Sequence, residues 1–111
     1  MQGDATSVRL RVLLFAGARE LSGCCEGEII VSSTETYSNL LSKVVKQFSL
    51  FKIQNSVILA VNEVYPDPEQ NLHLRDGDLI AVIPPLSGGE YRYILIKIII
   101  YNSTLRVKHL G

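Results

Sequence analysis

The chain has 111 residues, 47% of them hydrophobic, and its 11 Lys/Arg balance 11 Asp/Glu. This length supports one small domain, or a smaller domain with a tail. Residues 1–89 carry seven Lys/Arg and ten Asp/Glu, and this mildly acidic body argues against nucleic-acid binding and suits a small protein that docks on a basic surface of another.

The first third of the chain predicts two strands joined by a helical turn. Alternation in the first strand puts Leu10, Val12 and Leu14 on one apolar face. Gly23 follows the helical turn and is expected to stop it. The predicted elements are, in chain order, a flexible N-terminus at residues 1–7, a strand at 8–15, a helical turn at 16–22 and a strand at 28–31.

The middle of the chain predicts one amphipathic helix at residues 37–48. Thr36 has a side chain suited to a helix N-cap. Behind it, apolar residues recur at helical spacing, at Leu40, Leu41, Val44, Val45 and Phe48. The helix should therefore bury one stripe.

The following residues predict three more strands. They are a strand at 57–61, a short strand at Val64-Tyr65 entered by a tight turn at Asn62-Glu63, a loop at 66–70 and a last strand at 79–83. One helix among these strands favours an α+β roll, in which the helix lies across one face of a mixed sheet. The side chains facing the helix are expected to be Leu10, Val12, Leu14, Ile80 and Val82, and those on the opposite face Leu13, Phe15, Ala81 and Ile83.

The sequence shows no ordinary catalytic or metal-binding constellation. His73 and His109 lack neighbouring ligands at metal-binding spacing, so both are interpreted as surface residues. Cys24 and Cys25 are adjacent, which suits neither a disulfide framework nor metal ligation and favours reduced thiols in a cytosolic protein. No segment reaches the roughly 20 apolar residues of a membrane span. We therefore expect no metal, no bound cofactor and no membrane contact.

The last strand leads into an arm, residues 84–89. Its residues are Pro84, Pro85, Leu86, Ser87, Gly88 and Gly89. The two prolines would project the chain away from the sheet, the leucine would anchor it, and the serine and glycines are thin enough to thread a narrow tunnel in another protein. A Gly-Gly pair alone is a weak signal, because loops often contain it. In this context the arm favours a carrier whose terminal carboxylate reacts inside a partner.

The arm is one of several informative stretches along residues 8–89. The others are residues 12–16 and 18–23, residues 60–62 (Ala-Val-Asn), Leu74 with Asp76, Gly77 and Asp78, and Ala81 with Ile83 before the arm. Together they resemble the small, sulfur-carrying subunits of molybdopterin synthase, the MoaD-type proteins, which implies a ubiquitin-like β-grasp fold. The diglycine alone also suits the thiamine-pathway sulfur carrier or a ubiquitin-related modifier, but the paired prolines favour the molybdopterin branch.

The resemblance implies a carrier that works through Gly88 and Gly89. A ubiquitin-activating-like adenylyltransferase/sulfurtransferase would use ATP and Mg to adenylate the carboxylate of Gly89, and sulfur would then replace AMP to leave a thiocarboxylate. The arm would enter the large, catalytic subunit of molybdopterin synthase in the cytosol and give its sulfur to cyclic pyranopterin monophosphate. The family's docking surface maps onto Phe15, Tyr65 and Ile83, beside the arm residues 84–87.

The chain departs from the family pattern because it continues past Gly89 through residues 90–111. This tail carries four Lys/Arg and one Glu, and its Ile- and Tyr-rich stretch is a candidate for edge pairing or aggregation. Three accounts are open: a protease trims the tail, the tail is a fused interaction segment, or it is translated non-coding sequence. The third is favoured as a hypothesis, because Gly-Glu-Tyr can be encoded by codons that contain a splice donor.

The tail also bears on function. With residues 90–111 attached, Gly89 ends in an amide and cannot be adenylated, so the intact tail is expected to block the synthase tunnel. The alternative function is a ubiquitin-like modifier or a β-grasp interaction module without sulfur transfer, which a genuine tail would favour. An inactive, tail-blocked form is a further alternative.

Overall fold

The computed structural model describes residues 6–83, which form a mixed four-stranded sheet with a helix packed across it. The elements are β1 (Ser7–Leu14), α1 (Ala16–Ser22), β2 (Glu26–Ser32), α2 (Tyr37–Gln47), a 3-10 turn (Phe51–Ile53), β3 (Ile58–Val61) and β4 (Leu79–Ile83). The strand order is β2-β1-β4-β3. β1 and β4 are parallel, while the two outer pairs are antiparallel. The predicted α+β roll, with one main helix on a mixed sheet, is confirmed.

The sheet is apolar on both faces, and the helix covers one of them, which we call the inner face. The inner face carries Leu10, Val12, Leu14, Leu59, Ile80 and Val82, all buried in one cluster with side chains of α2. Alternate residues of the same strands point the other way because the side-chain period of a strand is two. Leu13, Ala81 and Ile83 belong to a separate buried cluster on the opposite, outer face. The predicted division of side chains between the two faces is confirmed.

Helix α2 begins and ends almost where the sequence predicts. The hydroxyl of Thr36 accepts a hydrogen bond from the amide of Asn39 at 3.1 Å, which satisfies one of the free N–H groups of the first turn. Leu40 and Val44 on its apolar stripe are fully buried. The helix ends at Gln47, with Phe48 as its C-cap. It ends one residue short of the predicted boundary, which is ordinary fraying at a helix end.

Strand β2 is longer than the predicted residues 28–31. At its N-terminal end it continues through Gly27 to Glu26. Glycine normally weakens a strand, so the sequence argues against continuing the strand through Gly27. Here the ring of Phe48 lies against the strand, and a Cβ atom at Gly27 would stand 2.8 Å from Cε1 of that ring. The glycine therefore makes room for the end of α2.

The predicted short strand at Val64-Tyr65 is wrong, because the pairing stops after a single bridge between Val61 and Val64. Asn62 and Glu63 both have positive φ, 49° and 74°, as in the two-residue turns that close hairpins. The amide of Val61 donates to the carbonyl of Val64 at 2.8 Å. Pro66 follows closely and has no N–H with which to extend a ladder.

The other end of the sheet also differs from the sequence prediction by one residue. Ser7, placed in the flexible N-terminus, is the first residue of β1. Just before it, the carbonyl of Thr6 accepts a hydrogen bond from the amide of Ser33 at 2.7 Å. This bond continues the β1–β2 pairing to the end of β2, so β1 begins earlier than its apolar pattern indicates.

Candidate functional site

The candidate arm follows the last residue of β4 in the sequence. β4 ends at Ile83, and the arm residues Pro84, Pro85, Leu86, Ser87, Gly88 and Gly89 lie outside the described residues. The parallel register pairs Leu14 of β1 with Val82 of β4. Phe15 and Ile83, the next residue of each strand, therefore stand at the same end of the sheet.

Phe15 is held at that end by the start of helix α1. Its extended backbone forms the N-cap of α1, and its carbonyl accepts a hydrogen bond from the amide of Ala18 at 3.0 Å. Ala16 follows with a φ of 47°, in the left-handed region that non-glycine residues seldom adopt. This sharp turn leaves the ring of Phe15 half-buried against the cluster of the outer face. The ring is thus fixed beside the point where the arm begins.

Ile83 lies in the same cluster, which we call the outer cluster. Its members are Leu13, Ala60, Leu79, Ala81 and Ile83. The side chain of Ile83 is fully buried, and Ile58 stands opposite it on β3. Ile83 and Ile58 are therefore neighbours on adjacent strands at the end of the sheet where Phe15 lies.

Tyr65, the third predicted docking residue, lies in a neighbouring apolar cleft. It is 39% exposed. The cleft is lined by Tyr37, Ile58, Leu59, Tyr65, Pro66 and Pro68. The phenol oxygen of Tyr37 accepts a hydrogen bond from the amide of Leu59 at 2.9 Å. The structure therefore brings Phe15 and Ile83 together and places Tyr65 one strand away, next to Ile58.

The sequence reasoning did not single out Ile58 as part of this surface. Ile58 lies in the predicted strand 57–61, and its face follows from the same alternation that assigned Ala81 and Ile83. The missing information was the register between β3 and β4, which pairs Ile58 with Ile83 and Ala60 with Ala81. The alternation along a strand divides its side chains into two sets, one for each face of the sheet. Only the register between two strands shows which sets of the two strands share a face.

Asn62, Asp76 and Gly77, from the other informative stretches of the sequence, hold the strands of the sheet together rather than forming the docking surface. Asn62 exchanges two hydrogen bonds with Leu79: its amide donates to the Leu79 carbonyl at 2.8 Å, and its side-chain oxygen accepts from the Leu79 amide at 2.9 Å. Asp76 Oδ1 accepts from the amide of Arg9 at 2.8 Å, and Gly77 takes a φ of 87° in the turn. These contacts lock β4 to both neighbouring strands and so fix where the arm starts.

Charged residues occupy the other half of the outer face. Arg9 and Arg11 on β1 stand opposite Ile30 and Glu28 on β2, and these residues line a shallow depression with Asp76. The outer face is therefore divided between a charged half near the start of β1 and an apolar half near the arm.

Residues 6–83 offer few other candidates for a functional site. Within residues 6–83, no three His, Cys, Asp or Glu side chains form a group that could hold a metal ion. Cys24 is half-buried and Cys25 exposed, and both are free thiols. In the same range, no helix has the length and apolarity that crossing a membrane would require.

Comparison with known proteins places this arrangement in a family. Residues 12–89 match the profile of the ThiS family, so the match ends at the second glycine of the arm. A molybdopterin synthase sulfur carrier subunit from Drosophila erecta is 41% identical over 90 residues, which is 80% of this chain and the whole of that relative.

Solved structures agree on the fold. A putative molybdopterin converting factor, subunit 1, from Pyrococcus furiosus is 30% identical, with a TM-score of 0.58 over 71% of this chain and 99% of its own. A ubiquitin from Caldiarchaeum subterraneum, 18% identical, has a TM-score of 0.55 over 76% of this chain and 100% of its own. The second likeness shows the fold alone, and it confirms the predicted ubiquitin-like β-grasp.

Proposed function

This chain belongs to the ThiS family, in the group of the molybdopterin synthase sulfur carrier subunits, and we propose that it carries sulfur on the carboxyl group of Gly89. The observation that carries the proposal is the family match, which ends at Gly89, six residues after β4 ends at Ile83. Six extended residues span about 20 Å. An arm of that length would be long enough to enter a partner's active site.

The proposed chemistry takes place at a backbone carboxylate. An oxygen of the Gly89 carboxylate attacks the α-phosphorus of ATP, which an activating partner binds with Mg, and pyrophosphate leaves. Sulfide, supplied as HS⁻ by a sulfur donor, then attacks the acyl carbon, so that a C–S bond forms, the C–O bond to AMP breaks, AMP leaves and the sulfur proton passes to solvent. The resulting thiocarboxylate is the nucleophile that attacks cyclic pyranopterin monophosphate in the large synthase subunit.

The domain's own residues serve this chemistry by positioning the arm. The bonds from Asn62 and Asp76 hold β4 in register, and Phe15 fixes an apolar anchor at the root of the arm. Docking the outer face against the large subunit would bury this anchor and aim residues 84–89 at the partner's pocket. Preorganisation of this kind lowers the entropy lost on binding. We place the reaction in the cytosol, together with both partners.

The proposal is tested with a chain that ends at Gly89, incubated with the activating enzyme, ATP, Mg and a sulfur donor. Intact mass should show one oxygen atom replaced by sulfur, and addition of the large subunit and the pterin precursor should then yield molybdopterin. The full chain is the matched control and should form no thiocarboxylate, because Gly89 is there an amide. Equal thiocarboxylate formation with residues 90–111 verifiably intact would contradict the proposal.

A second candidate is a β-grasp interaction module without sulfur transfer, which the 22 residues after Gly89 favour. It predicts that cells keep residues 90–111 attached. Intact mass of the protein purified from cells separates the two candidates, because a carrier must end at Gly89.

A further inference from the structure

The connection from α2 to β3 runs along the end of the sheet at which β4 finishes. At the start of this connection, the ring of Phe48 lies against Gly27 of β2, a strand that begins beside the end of β1. The connection then leads to Ile58, which stands opposite Ile83. Because α2 packs on the inner face, the connection lies on the inner side of the point where β4 finishes.

The first residues of this connection form a rigid turn that ends α2. The amide of Leu50 donates to the carbonyl of Val45 at 2.9 Å, which is the bond of a Schellman motif. Between them, Ser49 has a φ of 59°, in the left-handed region that glycine would adopt without a steric cost. The side chain of Leu50 is fully buried. The backbone that leads into Phe51 is therefore fixed.

Phe51 is held out into solvent by this turn, with 58% of its surface exposed. It begins the 3-10 turn, in which the amide of Ile53 donates to the carbonyl of Leu50 at 3.0 Å, and Ile53 packs against the inner cluster. A single exposed apolar side chain is ordinary on a protein surface. What distinguishes Phe51 is that the turn on either side is anchored in the core, as suits an aromatic anchor for a partner.

Charge distinguishes the same region. Residues 36–62 carry three lysines and no Asp or Glu, whereas the rest of the described chain carries four Lys/Arg and nine Asp/Glu. Lys43 is neutralised by Glu35, whose Oε2 lies 2.8 Å from its Nζ. Lys46 and Lys52 are exposed and form no salt bridge with a described carboxylate. They leave a local positive charge on a mildly acidic domain.

We call Phe51, Lys46 and Lys52 together the Phe51 surface, since both lysines lie within five residues of the ring along the turn. Two lysines on an otherwise acidic domain are too few for a nucleic-acid footprint, which depends on neutralising several phosphates. An aromatic ring beside positive charge instead fits a protein pocket that is apolar and bordered by carboxylates.

The proposed function requires two partners that receive the same arm. It gives the outer face to the large subunit, whereas the Phe51 surface lies on the inner side of the sheet. We propose that the Phe51 surface docks on the activating enzyme, through an apolar pocket bordered by carboxylates on that enzyme. This inference rests on the proposed function, because it needs an enzyme that activates the arm. Each partner would then recognise the carrier by a different side of the same end.

Titration calorimetry with the activating enzyme, in the absence of ATP and of a sulfur donor, tests this surface. The chain ending at Gly89 is used, because a whole relative aligns with 80% of this chain. Phe51→Ala should weaken binding about tenfold or more, as for an aromatic anchor. Lys52→Glu should also weaken binding, by a factor that shrinks as salt is raised. Affinity for the large subunit should be unchanged in both variants.

Two matched controls lie at the other end of the sheet. Val64→Ala removes an apolar side chain that is 63% exposed, and Arg75→Glu reverses an exposed positive charge. Both should bind the activating enzyme like the parent chain, and urea unfolding should show that Phe51→Ala is folded.

An unchanged affinity of Phe51→Ala for the activating enzyme would overturn this inference alone. Equal losses in Phe51→Ala and Val64→Ala, or an equal loss of affinity for the large subunit, would overturn it as well, because the effect would not be specific to this surface and this partner. A parent chain that does not bind the activating enzyme at all would instead contradict the proposed function, and this inference with it.

Discussion

The inner and outer faces belong to the same sheet, and both bury apolar side chains, yet they differ in the helices that pack on them. On the inner face the cover is α2, which is joined to β2 by a short turn and capped by Thr36. On the outer face, the described chain offers Phe15 at the edge of the cluster. A face covered by a helix of the same domain is part of folding, whereas a face on which neither described helix packs can serve for docking. The comparison thus separates residues needed for stability from residues available for docking.

The largest effect that tests this comparison is expected on the inner face. Leu10→Ala removes a fully buried side chain and leaves a cavity under α2. The free energy of unfolding, measured by urea denaturation of the chain ending at Gly89, should fall by about 2–5 kcal/mol.

The matched control is Leu13→Ala, on the outer face of the same strand. In the chain ending at Gly89 it should cost less than roughly half as much, because neither described helix packs on Leu13 and the site can close more readily around the smaller side chain. If the two substitutions cost the same in that chain, the two faces are equally integral to folding and the comparison fails.

The next effect is expected in binding rather than in stability. Phe15→Ala removes the ring beside the root of the arm and should weaken binding to the large synthase subunit about 30-fold, or about 2 kcal/mol, as for a buried aromatic anchor. Titration calorimetry with the chain ending at Gly89 measures this. Phe51→Ala is the control, because Phe51 is 58% exposed on the 3-10 turn, away from the outer cluster. Equal affinities for both variants would exclude the outer face as the docking surface.

A smaller effect is expected at the turn that aligns β4 with β1. Gly77 has a φ of 87°, and a Cβ atom there would meet nothing within 4 Å, so the cost of Gly77→Ala is in the backbone alone. Unfolding by urea should show a loss of about 1–2 kcal/mol. Gly17→Ala is the control, since its Cβ is also unobstructed and alanine favours its helix α1. It should be neutral or stabilise by about 0.5–1 kcal/mol, and equal losses at both glycines would contradict the strained-turn explanation.

Features of this protein that depend on neighbouring residues can be predicted from its sequence. Features that depend on residues distant in the chain cannot. The cap at Thr36, the stop at Gly23 and the last strand are encoded within a few residues, and the structure confirms them. Gly27 lies inside β2, where it pairs with Val12 and faces the ring of Phe48, which is distant in sequence. The strand at Val64-Tyr65 failed because backbone geometry outweighed β propensity.

The candidate site shows the same limit. Phe15 and Ile83 were placed together from strand alternation and a parallel pairing, and the structure agrees. The burial of Ile83 and its pairing with Ile58 could not be predicted, because both depend on register and on what lies above the sheet. The roles of Gly88 and Gly89 remain predictions, since they lie outside the described residues.

The smallest change in stability is expected at the N-cap of α2, the helix that packs on the inner face. Thr36→Ala removes the hydroxyl that accepts from the Asn39 amide and should lower the free energy of unfolding by about 1 kcal/mol. Thr36→Ser keeps the acceptor and should recover most of that loss, while Ser38→Ala, at an exposed position of the first turn, should change it by less than about 0.5 kcal/mol. Because the buried stripe of α2 packs on the inner face, affinity for the large subunit should change little in any of these variants. A Thr36→Ala variant that binds more weakly in proportion to its lost stability would show that the two faces are coupled through the sheet.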